Sequence, residues 1–293
     1  MAEFDTISKY LIQTYPDQFA HFSLGREDVD VLEVLNTEQP TVELRHTDSL
    51  LRVRLDDEVV LVHNEFQTTD STHPPMPQRM AGYIGRAIEH HGVPVYSSVL
   101  YLRPDAGQTD PGQYLQAHPD HQVFIKYKVI RLSELDGQRI LDVGHLGLMA
   151  FAPLMKPPEA MAAEAWLRQC IHTARERSME DRSAQANLLA GMSLLSGLVY
   201  ASATISDIIL QEGIMDLIRE SSFAQYLTQQ GIEQGLQESI LDVLELRFDP
   251  SEAQQLVGRI EALDDVQRLK QLHRAAIQVP NLEAFRDLLD AAE

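Results

Sequence analysis

Two short stretches near the start of the chain alternate apolar and polar residues as strands do. Residues 50–55 read LLRVRL, residues 59–63 read VVLVH, and the acidic turn Asp56-Asp57-Glu58 joins them. Acidic turns between β-branched runs predict a β-hairpin. Because alternate side chains of a strand share a face, we expect two sets on the second strand. One face carries Val59, Leu61, His63, Glu65 and Gln67, and the other carries Val60, Val62, Asn64 and Phe66.

The open end of this hairpin brings acidic residues together. If the strands pair in register, Asp48 meets Glu65 across the ladder, and Gln67 points the same way as Glu65. Two carboxylates held side by side repel each other unless a proton or a cation lies between them. Hard divalent cations such as Mg²⁺ take carboxylate oxygens as ligands. The pattern therefore predicts a divalent-cation site at this end of the sheet.

Further periodic stretches surround the hairpin. The spacing of apolar residues predicts helices over residues 4–15 and 76–91, which end at Pro16 and Gly92. Residues 93–102 and 123–132 are typical of strands, and the first should run parallel to a hairpin strand because a helix precedes it. We expect residues 23–40 and 103–120 to be irregular, although residues 29–35 form a short apolar piece.

From Pro157 onward the pattern is almost wholly helical. Residues 159–177, 188–200, 205–218 and 225–248 show helical spacing, and Asp249 and Asn281 are placed to cap the helices that follow them. This half contains no polar cluster to which chemistry can be assigned. We therefore expect an α/β domain over residues 1–154 and an all-α domain over residues 155–293.

Longer sequence segments around the hairpin resemble those of a known family. The word VHNEFQT at residues 62–68 and the word RMAGYIGRAIEHHGVPVYSSVLYLRP at residues 79–104 look like the Rpn family of recombination-promoting nucleases and transposase-like proteins. Asp48, followed after a strand turn by Glu65-Phe66-Gln67, is likewise similar to the PD-(D/E)XK motif of a wider nuclease superfamily. The resemblance extends from Phe4 to about Leu154, with a weaker echo in the helical tail.

The resemblance implies a fold, an activity and a set of site residues. The implied fold is α/β, with a PD-(D/E)XK-like small mixed β-sheet flanked by helices and followed by the all-α region. The implied activity is that of a metal-dependent DNA endonuclease using Mg²⁺, or Mn²⁺ in its place, held by Asp48, Glu65 and the carbonyl of Phe66. Gln67, where the superfamily usually has lysine, would position the attacking water. An amide can orient water but supplies no positive charge.

The helix that follows the hairpin carries candidate substrate-binding residues. Arg79, Tyr83, Arg86 and His90 recur on one of its faces. Because the helix comes directly after the strand of Glu65, this face is expected beside the metal, where Arg79, Tyr83 and Arg86 bind a phosphate. The alternative is a solvated face whose arginines balance nearby acids.

Lysines elsewhere are candidates for the positive charge that Gln67 lacks. Lys126 and Lys128 alternate along a predicted strand, although lysines at solvated sheet edges are common. In the nuclease superfamily the first helix contributes an acidic group, and Asp5 with Lys9 is the matching pair here. The alternative for this pair is an ordinary ion pair one helical turn apart.

Composition restricts the partners and the compartment. The formal net charge is −20, so nucleic acid is repelled at long range and a nuclease needs a local basic surface or a partner. The single cysteine, Cys170, excludes an internal disulfide and fits a reducing cytoplasm. Residues 1–10 lack the features of a secretory leader, and residues 188–210 are too polar to span a membrane.

The histidines give no zinc motif. His63 shares a face with Glu65, and His46 lies two residues before Asp48, so either is a candidate metal ligand or proton carrier. A compact pair such as H-E-x-x-H is absent from the sequence, and we therefore expect no zinc site.

Two functions from different classes remain open. The first is the DNA endonuclease, and the same residues are compatible with cleavage of RNA. The second is a catalytically inactive nuclease fold that serves as an interaction module, with a homodimer formed through the helical region. The net charge and the missing motif lysine favour the second function, whereas the retained Asp48, Glu65 and Gln67 favour the first.

Overall fold

The computed structural model describes residues 2–35, 48–118 and 121–291. The chain divides into two compact units, Met1–Phe223 and Ala224–Glu293. The sequence predicts a domain boundary after residue 154, and residues 155–223 lie in the same compact unit as the sheet.

The first unit is built on a five-stranded mixed sheet with the order β1-β2-β3-β4-β7. Strands β1, β2 and β3 are antiparallel neighbours, whereas β4 runs parallel to β3 and β7 runs parallel to β4. A separate two-stranded sheet pairs β5 with β6. The strands are β1 Val29–Leu35, β2 Ser49–Leu55, β3 Glu58–Gln67, β4 Val95–Tyr101, β5 Gln113–His118, β6 His121–Lys126 and β7 Lys128–Arg131.

The predicted hairpin is confirmed in β2 and β3. The ladder pairs Leu55 with Glu58, so only Asp56 and Asp57 form the loop. Both residues have positive φ, 48° and 66°. Two-residue hairpin turns of this kind require positive φ at both positions, and aspartate tolerates that conformation better than most residues. The mixed sheet and the parallel pairing of β4 with a hairpin strand are also confirmed.

Three expectations for the outer strands are wrong. Residues 29–35, expected within an irregular segment, form the edge strand β1, and residues 113–118, expected in a loop, form β5. Residues 123–132, expected as one strand, divide at Tyr127 between two sheets. The Tyr127 side chain is buried and donates a hydrogen bond to Asp110 Oδ1 at 2.6 Å, which fixes the chain where it passes from β6 to β7.

Helices cover both faces of the five-stranded sheet. On one face, the ring of Phe66 stacks on Phe151 at 6.0 Å and meets Phe19 edge-on at 6.2 Å, so the helix Pro16–Leu24 (α2) and the segment around residue 151 cover that side. On the other face, the ring of Tyr83 meets His63 edge-on at 5.6 Å, so the helix Met76–His91 (α3) covers it. The alternation predicted for β3 is therefore confirmed, and the strand is buried on both faces.

The first unit contains the following helices. They are α1 Ala2–Thr14, α2 Pro16–Leu24, α3 Met76–His91, α4 Gly137–Val143, α5 Leu146–Met149, α6 Ala163–Arg177, α7 Arg182–Ser196, α8 Ser202–Gln211 and α9 Met215–Arg219, with short 3-10 turns at Leu132–Glu134 and Ala152–Leu154.

The second unit is helical, as expected for the end of the chain. Asp249 accepts a hydrogen bond from the N–H of Ser251 at 2.8 Å, and Asn281 accepts one from the N–H of Ala284 at 2.9 Å, so both predicted caps are confirmed. The core includes Ile240, Leu269 and Phe285, all fully buried. The helices are α10 Ser222–Arg247, which begins in the first unit, α11 Pro250–Ala253, α12 Val257–Glu261, α13 Val266–Gln278 and α14 Leu282–Asp290, with a 3-10 turn at Gln254–Leu256.

Within the described ranges, none of the helices combines the length and the apolar character that crossing a bilayer requires.

Candidate functional site

The hairpin register brings the two predicted carboxylates to the same end of the sheet. The ladder pairs Ser49 with Asn64, so its next step places Asp48 opposite Glu65. The N–H of Phe66 donates a hydrogen bond to Asp48 Oδ2 at 2.7 Å. This bond fixes the Asp48 carboxylate at the end of β3, because a backbone donor has no freedom to move away.

Glu65 is the most buried charged group at this end. Its side chain is 1% exposed, and Arg79 Nη2 forms an ion pair with Glu65 Oε1. Gln67 Nε2 donates to the same oxygen at 3.2 Å, as its shared face predicts. The other oxygen, Oε2, has no hydrogen-bond partner among the described residues. His63 Nε2 lies 3.8 Å from Oε2.

Helix α3 supplies three stacked side chains on the Glu65 face. Arg79 Nη2 donates to the Tyr83 hydroxyl at 3.2 Å, and the Arg79 guanidinium lies 5.7 Å from the centre of the Tyr83 ring. Arg86, one turn further on, lies 5.2 Å from the same ring. A cation over an aromatic face is attracted to it, so Tyr83 holds both arginines in a row. Arg79 pairs with Glu65 directly, and Arg86 is connected to that pair through the Tyr83 ring.

The charge of Glu65 changes the titration of its neighbours. Burial alone would lower the pKa of the Arg79 guanidinium, but Glu65 and Tyr83 outweigh it, so the net pKa is raised. Burial raises the pKa of the Tyr83 phenol, the negative charge of Glu65 raises it further, and the bond from Arg79 offsets only part of the rise. Arg79 therefore stays charged and Tyr83 stays neutral at neutral pH.

Lys9 is a site residue whose role the sequence left open. Its Nζ lies 3.8 Å from Asp48 Oδ1, so α1 brings an ammonium group to the carboxylate end of the hairpin. The side chain of Asp5 and all of His46, which we had also considered, lie outside the described part of the chain. In the sequence, Lys9 follows Asp5, which matches the acidic residue that the first helix contributes in the superfamily that the chain resembles. That match is what indicated Lys9 as a candidate.

The two other lysines do not reach this end. Lys128 Nζ donates to the carbonyl of Ser23 at 3.3 Å, so it lies against α2, on the opposite face of the sheet from Glu65. Lys126 lies in the separate two-stranded sheet, and its side chain is exposed. Lys126 is therefore a solvated lysine, whereas Lys128 donates a hydrogen bond to a carbonyl of α2.

Two more side chains lie at the site, namely His63, a candidate metal ligand or proton carrier from the sequence, and Ser71, to which the sequence assigned no role. His63 is 1% exposed, and its Nδ1 lies 3.2 Å from the Ser97 hydroxyl of β4, which fixes the ring beside Glu65. Ser71 lies in the loop before α3, and Arg79 Nη1 donates to its hydroxyl at 3.4 Å. His90, by contrast, is exposed at the end of α3, where its ring meets that of His91.

The chain has no match among protein-family models, curated proteins or solved structures. The relationship to the Rpn nucleases and to the PD-(D/E)XK superfamily therefore stays a prediction from the sequence motifs. The assignment of a function accordingly depends on the chemistry of the residues around Glu65.

Proposed function

We propose that this protein is a metal-dependent endonuclease that hydrolyses phosphodiester bonds in DNA. The observation that carries the proposal is the open oxygen of Glu65, since Oε2 is buried and lacks a hydrogen-bond partner in the described ranges. Asp48 lies opposite Glu65 in the hairpin register. The sequence resemblance supports the same function.

The residues present fit a hard divalent cation. A buried carboxylate oxygen without a partner is costly, and a cation at that oxygen removes the cost. Mg²⁺ binds carboxylate oxygens, and Mn²⁺ accepts the same ligands. Asp48 and Glu65 would hold the ion, together with the carbonyl of Phe66 that the motif implies. When bound, the ion lowers the pKa of water and neutralises charge on the phosphate.

The other side chains would have separate tasks. Arg79 would hold Glu65 in place through their ion pair, and its remaining N–H groups face the Ser71 side of the loop, where they would bind a phosphate oxygen. Gln67 would orient the attacking water through its amide. Lys9 would supply beside Asp48 the ammonium that the superfamily usually places at the position of Gln67.

This arrangement answers the objection from net charge. The chain is strongly acidic, with a net charge of −20, but phosphate binding depends on the charges near the site rather than on the sum. Three basic residues lie near the two carboxylates: Lys9 is beside Asp48, Arg79 pairs with Glu65, and Arg86 stacks on the same Tyr83 ring as Arg79. We therefore expect cleavage to be strongest at low salt.

Two observations favour the second candidate, the interaction module. Arg79 already pairs with Glu65, so the carboxylate has a structural use without any metal. In the second unit, Leu246 is 86% exposed and Ile277 is 52% exposed, and a homodimer formed through the helices would cover such side chains. This candidate predicts no metal-dependent stabilisation and no cleavage.

A cleavage assay separates the two candidates. Wild-type protein is incubated at low salt with supercoiled plasmid, single-stranded DNA or RNA, each with Mg²⁺, Mn²⁺ or a chelator. We expect metal-dependent nicking of the plasmid that is lost in Glu65→Gln and Asp48→Asn. The matched control is Glu58→Gln, which removes an exposed carboxylate from the other end of the same strand. Cleavage that survives in Glu65→Gln and Asp48→Asn would contradict the site assignment, and cleavage of RNA alone would change the substrate.

A further inference from the structure

A second cluster of ligand atoms lies on the α2 side of the sheet, whereas Glu65 faces α3. His21, Glu27 and His145 each offer one ligand atom, and these atoms all lie within 4.8 Å of one another, close enough to share one ion at a common point. His21 Nδ1 is 3.5 Å from Glu27 Oε2, and His145 Nε2 is 4.0 Å from the same oxygen. The two histidines are 124 positions apart in the chain, so the fold alone brings them together.

The hydrogen bonds of His21 fix which of its nitrogens faces Glu27 without a proton. Its Nε2 lies 3.1 Å from the carbonyl oxygen of Val29. A carbonyl only accepts hydrogen bonds, so Nε2 carries the hydrogen, and in the neutral ring Nδ1 keeps its lone pair. Nδ1 and the Glu27 oxygen are then two acceptors facing each other. Metal-binding histidines commonly have this arrangement, with the second nitrogen donating to a carbonyl.

His145 adds an observation that a proton on His21 does not explain. Its Nε2 is buried, and no described residue forms a hydrogen bond with it. A proton shared between His21 and Glu27 would satisfy those two groups and leave His145 Nε2 unsatisfied. A single cation at the common point would satisfy all three atoms.

Local structure holds Glu27 at its place in the cluster. Gly25 takes the left-handed conformation at the end of α2, with its N–H bonded to the His21 carbonyl at 2.8 Å, and turns the chain back toward His21. Arg26 then binds the carboxylates of Asp28 and Asp56. The backbone on both sides of Glu27 is thus fixed before any ion binds.

His145 is positioned equally firmly. It is the residue before α5, and its carbonyl accepts the N–H groups of Leu148 and Met149 at 3.0 Å. The next turn is bound to α2, because the N–H of Gly147 donates to Gln18 Oε1 at 2.7 Å. A side chain at Gly147 would come within 2.7 Å of Tyr15, so the two segments approach as closely as glycine permits.

The donor set selects the class of metal. Two imidazole nitrogens and one carboxylate oxygen are ligands for Zn²⁺ and similar first-row ions, whereas Mg²⁺ prefers an all-oxygen environment. Bond lengths of about 2.0–2.2 Å at tetrahedral angles separate zinc ligands by roughly 3.4 Å, close to the observed 3.5 and 4.0 Å. The side chain of Glu27 is 79% exposed, so a fourth position can be filled by water.

We propose that His21, Glu27 and His145 form a Zn²⁺ site that joins α2, the segment after it and the start of α5. Three protein ligands leave one position for solvent or for a small anionic ligand. The site is separate from the carboxylates of Asp48 and Glu65 and does not depend on the nuclease proposal.

Zinc binding to the full chain tests this proposal. After chelator treatment and buffer exchange, isothermal titration with ZnCl₂ should give one tight site per chain, and Co²⁺ in place of Zn²⁺ should give the intense visible absorption of a tetrahedral complex. Glu27→Gln and His145→Ala should each weaken zinc binding by about 100-fold or more, since even outer-shell partners of a metal affect its affinity by 10–100-fold. Unfolding curves in chelator verify that both variants fold.

Two controls locate the bound zinc. Glu176→Gln alters an exposed pair in which His172 Nδ1 lies 3.5 Å from Glu176, the same separation as in the cluster but with no third ligand atom among the residues that the structure describes. This variant should bind zinc as the wild type does. Glu65→Gln should also retain the site. An absence of tight zinc binding, or equal binding by wild type, Glu27→Gln and His145→Ala, would overturn the proposal. Zinc lost in Glu65→Gln but kept in Glu27→Gln would likewise overturn it.

Discussion

Arg79 and Glu65 form an ion pair at Oε1 of the carboxylate, whereas Oε2 has no hydrogen-bond partner among the described residues and lies 3.8 Å from His63 Nε2. The arginine comes from α3 and the glutamate from β3, so the pair also joins the helix to the central sheet. The side chain of Glu65 is 1% exposed and that of Arg79 is 23% exposed. The ion pair with Arg79 therefore offsets the cost of burying the Glu65 carboxylate.

Loss of Arg79 should destabilise the fold through Glu65. We expect Arg79→Met to lower the free energy of unfolding by about 2–4 kcal/mol, because it leaves a buried carboxylate without its cation. In a Glu65→Gln background the same substitution should cost much less, since no charge is then stranded. Urea unfolding of the four proteins in this double-mutant cycle measures the coupling.

Arg86→Met is the control for this cycle. Arg86 stacks on the same Tyr83 ring, at 5.2 Å, but is connected to Glu65 only through that ring. Its loss should cost less than about 1 kcal/mol in either background. Equal costs for Arg79→Met with and without Glu65 would show that the ion pair does not stabilise the protein.

Lys9 should contribute to cleavage through its charge beside Asp48. If the protein is a nuclease, Lys9→Met should reduce the rate of cleavage by about tenfold or more, because one positive group facing the reacting phosphate is lost. The rate of plasmid nicking at saturating Mg²⁺ measures the effect. Lys126→Met, which removes an exposed lysine from the other sheet, should leave the rate unchanged. A similar loss in both variants would indicate weaker DNA binding by overall charge.

How well each site residue can be predicted from the sequence depends on whether its contacts are local in the chain or made by tertiary packing. The positions of Asp48, Glu65 and Gln67 follow from the period of two along a hairpin with a two-residue loop, so the sequence was sufficient to predict them. Arg79 was also predictable, because a short loop connects its helix to the strand. The position of Lys9 was less predictable, since the path of α1 relative to Asp48 depends on tertiary packing.

Other features had no local signal. His21 and His145 meet because Gly147 allows α5 to approach α2, and no spacing in the sequence indicates that contact. The stretch 123–132 alternates throughout as one strand would, but it divides between two sheets at Tyr127, whose hydroxyl donates to Asp110 and whose N–H donates to the Gly112 carbonyl. Tertiary contacts override local propensity in such segments.

The tyrosines around Asp110 should make the protein sensitive to alkali. Tyr101 and Tyr127 each donate to Asp110 at 2.6 Å, and burial, followed by the bond to Asp110, raises the pKa of both phenols strongly. A group whose pKa is raised in the folded state stabilises it below the unfolded value, about 10 for tyrosine, and this stability is lost as the pH rises through the folded pKa.

Urea unfolding at several pH values tests this behaviour. Between about pH 9 and pH 11 the free energy of unfolding of the wild type should fall more steeply than that of the Tyr101→Phe/Tyr127→Phe double variant, which has no proton to lose at these positions. Parallel pH profiles would show that the two phenols do not control the alkaline limit.

A substitution at Gly107 should lower the free energy of unfolding, because an added side chain would clash with the ring of Tyr101. Gly107 has a φ of 70°, and an added Cβ would lie 2.2 Å from Tyr101 Cδ2. Gly92 has a φ of 63° and, within the described structure, no atom within 4 Å of an added Cβ. We expect Gly92→Ala to cost about 1 kcal/mol from backbone strain and Gly107→Ala about 1–3 kcal/mol more from the clash. Thermal or urea unfolding measures both, and equal costs would exclude the clash as the cause.

Mn²⁺ binding at Glu65 tests the central claim most directly. The titration is followed by electron paramagnetic resonance in the Glu27→Gln background, so that the cluster of His21, Glu27 and His145 does not contribute. We predict one Mn²⁺ per chain, displaced by Mg²⁺, in that protein and none after the further change Glu65→Gln. Equal Mn²⁺ binding with and without Glu65, or no binding in either protein, would contradict a metal-dependent nuclease at this hairpin and favour the interaction module.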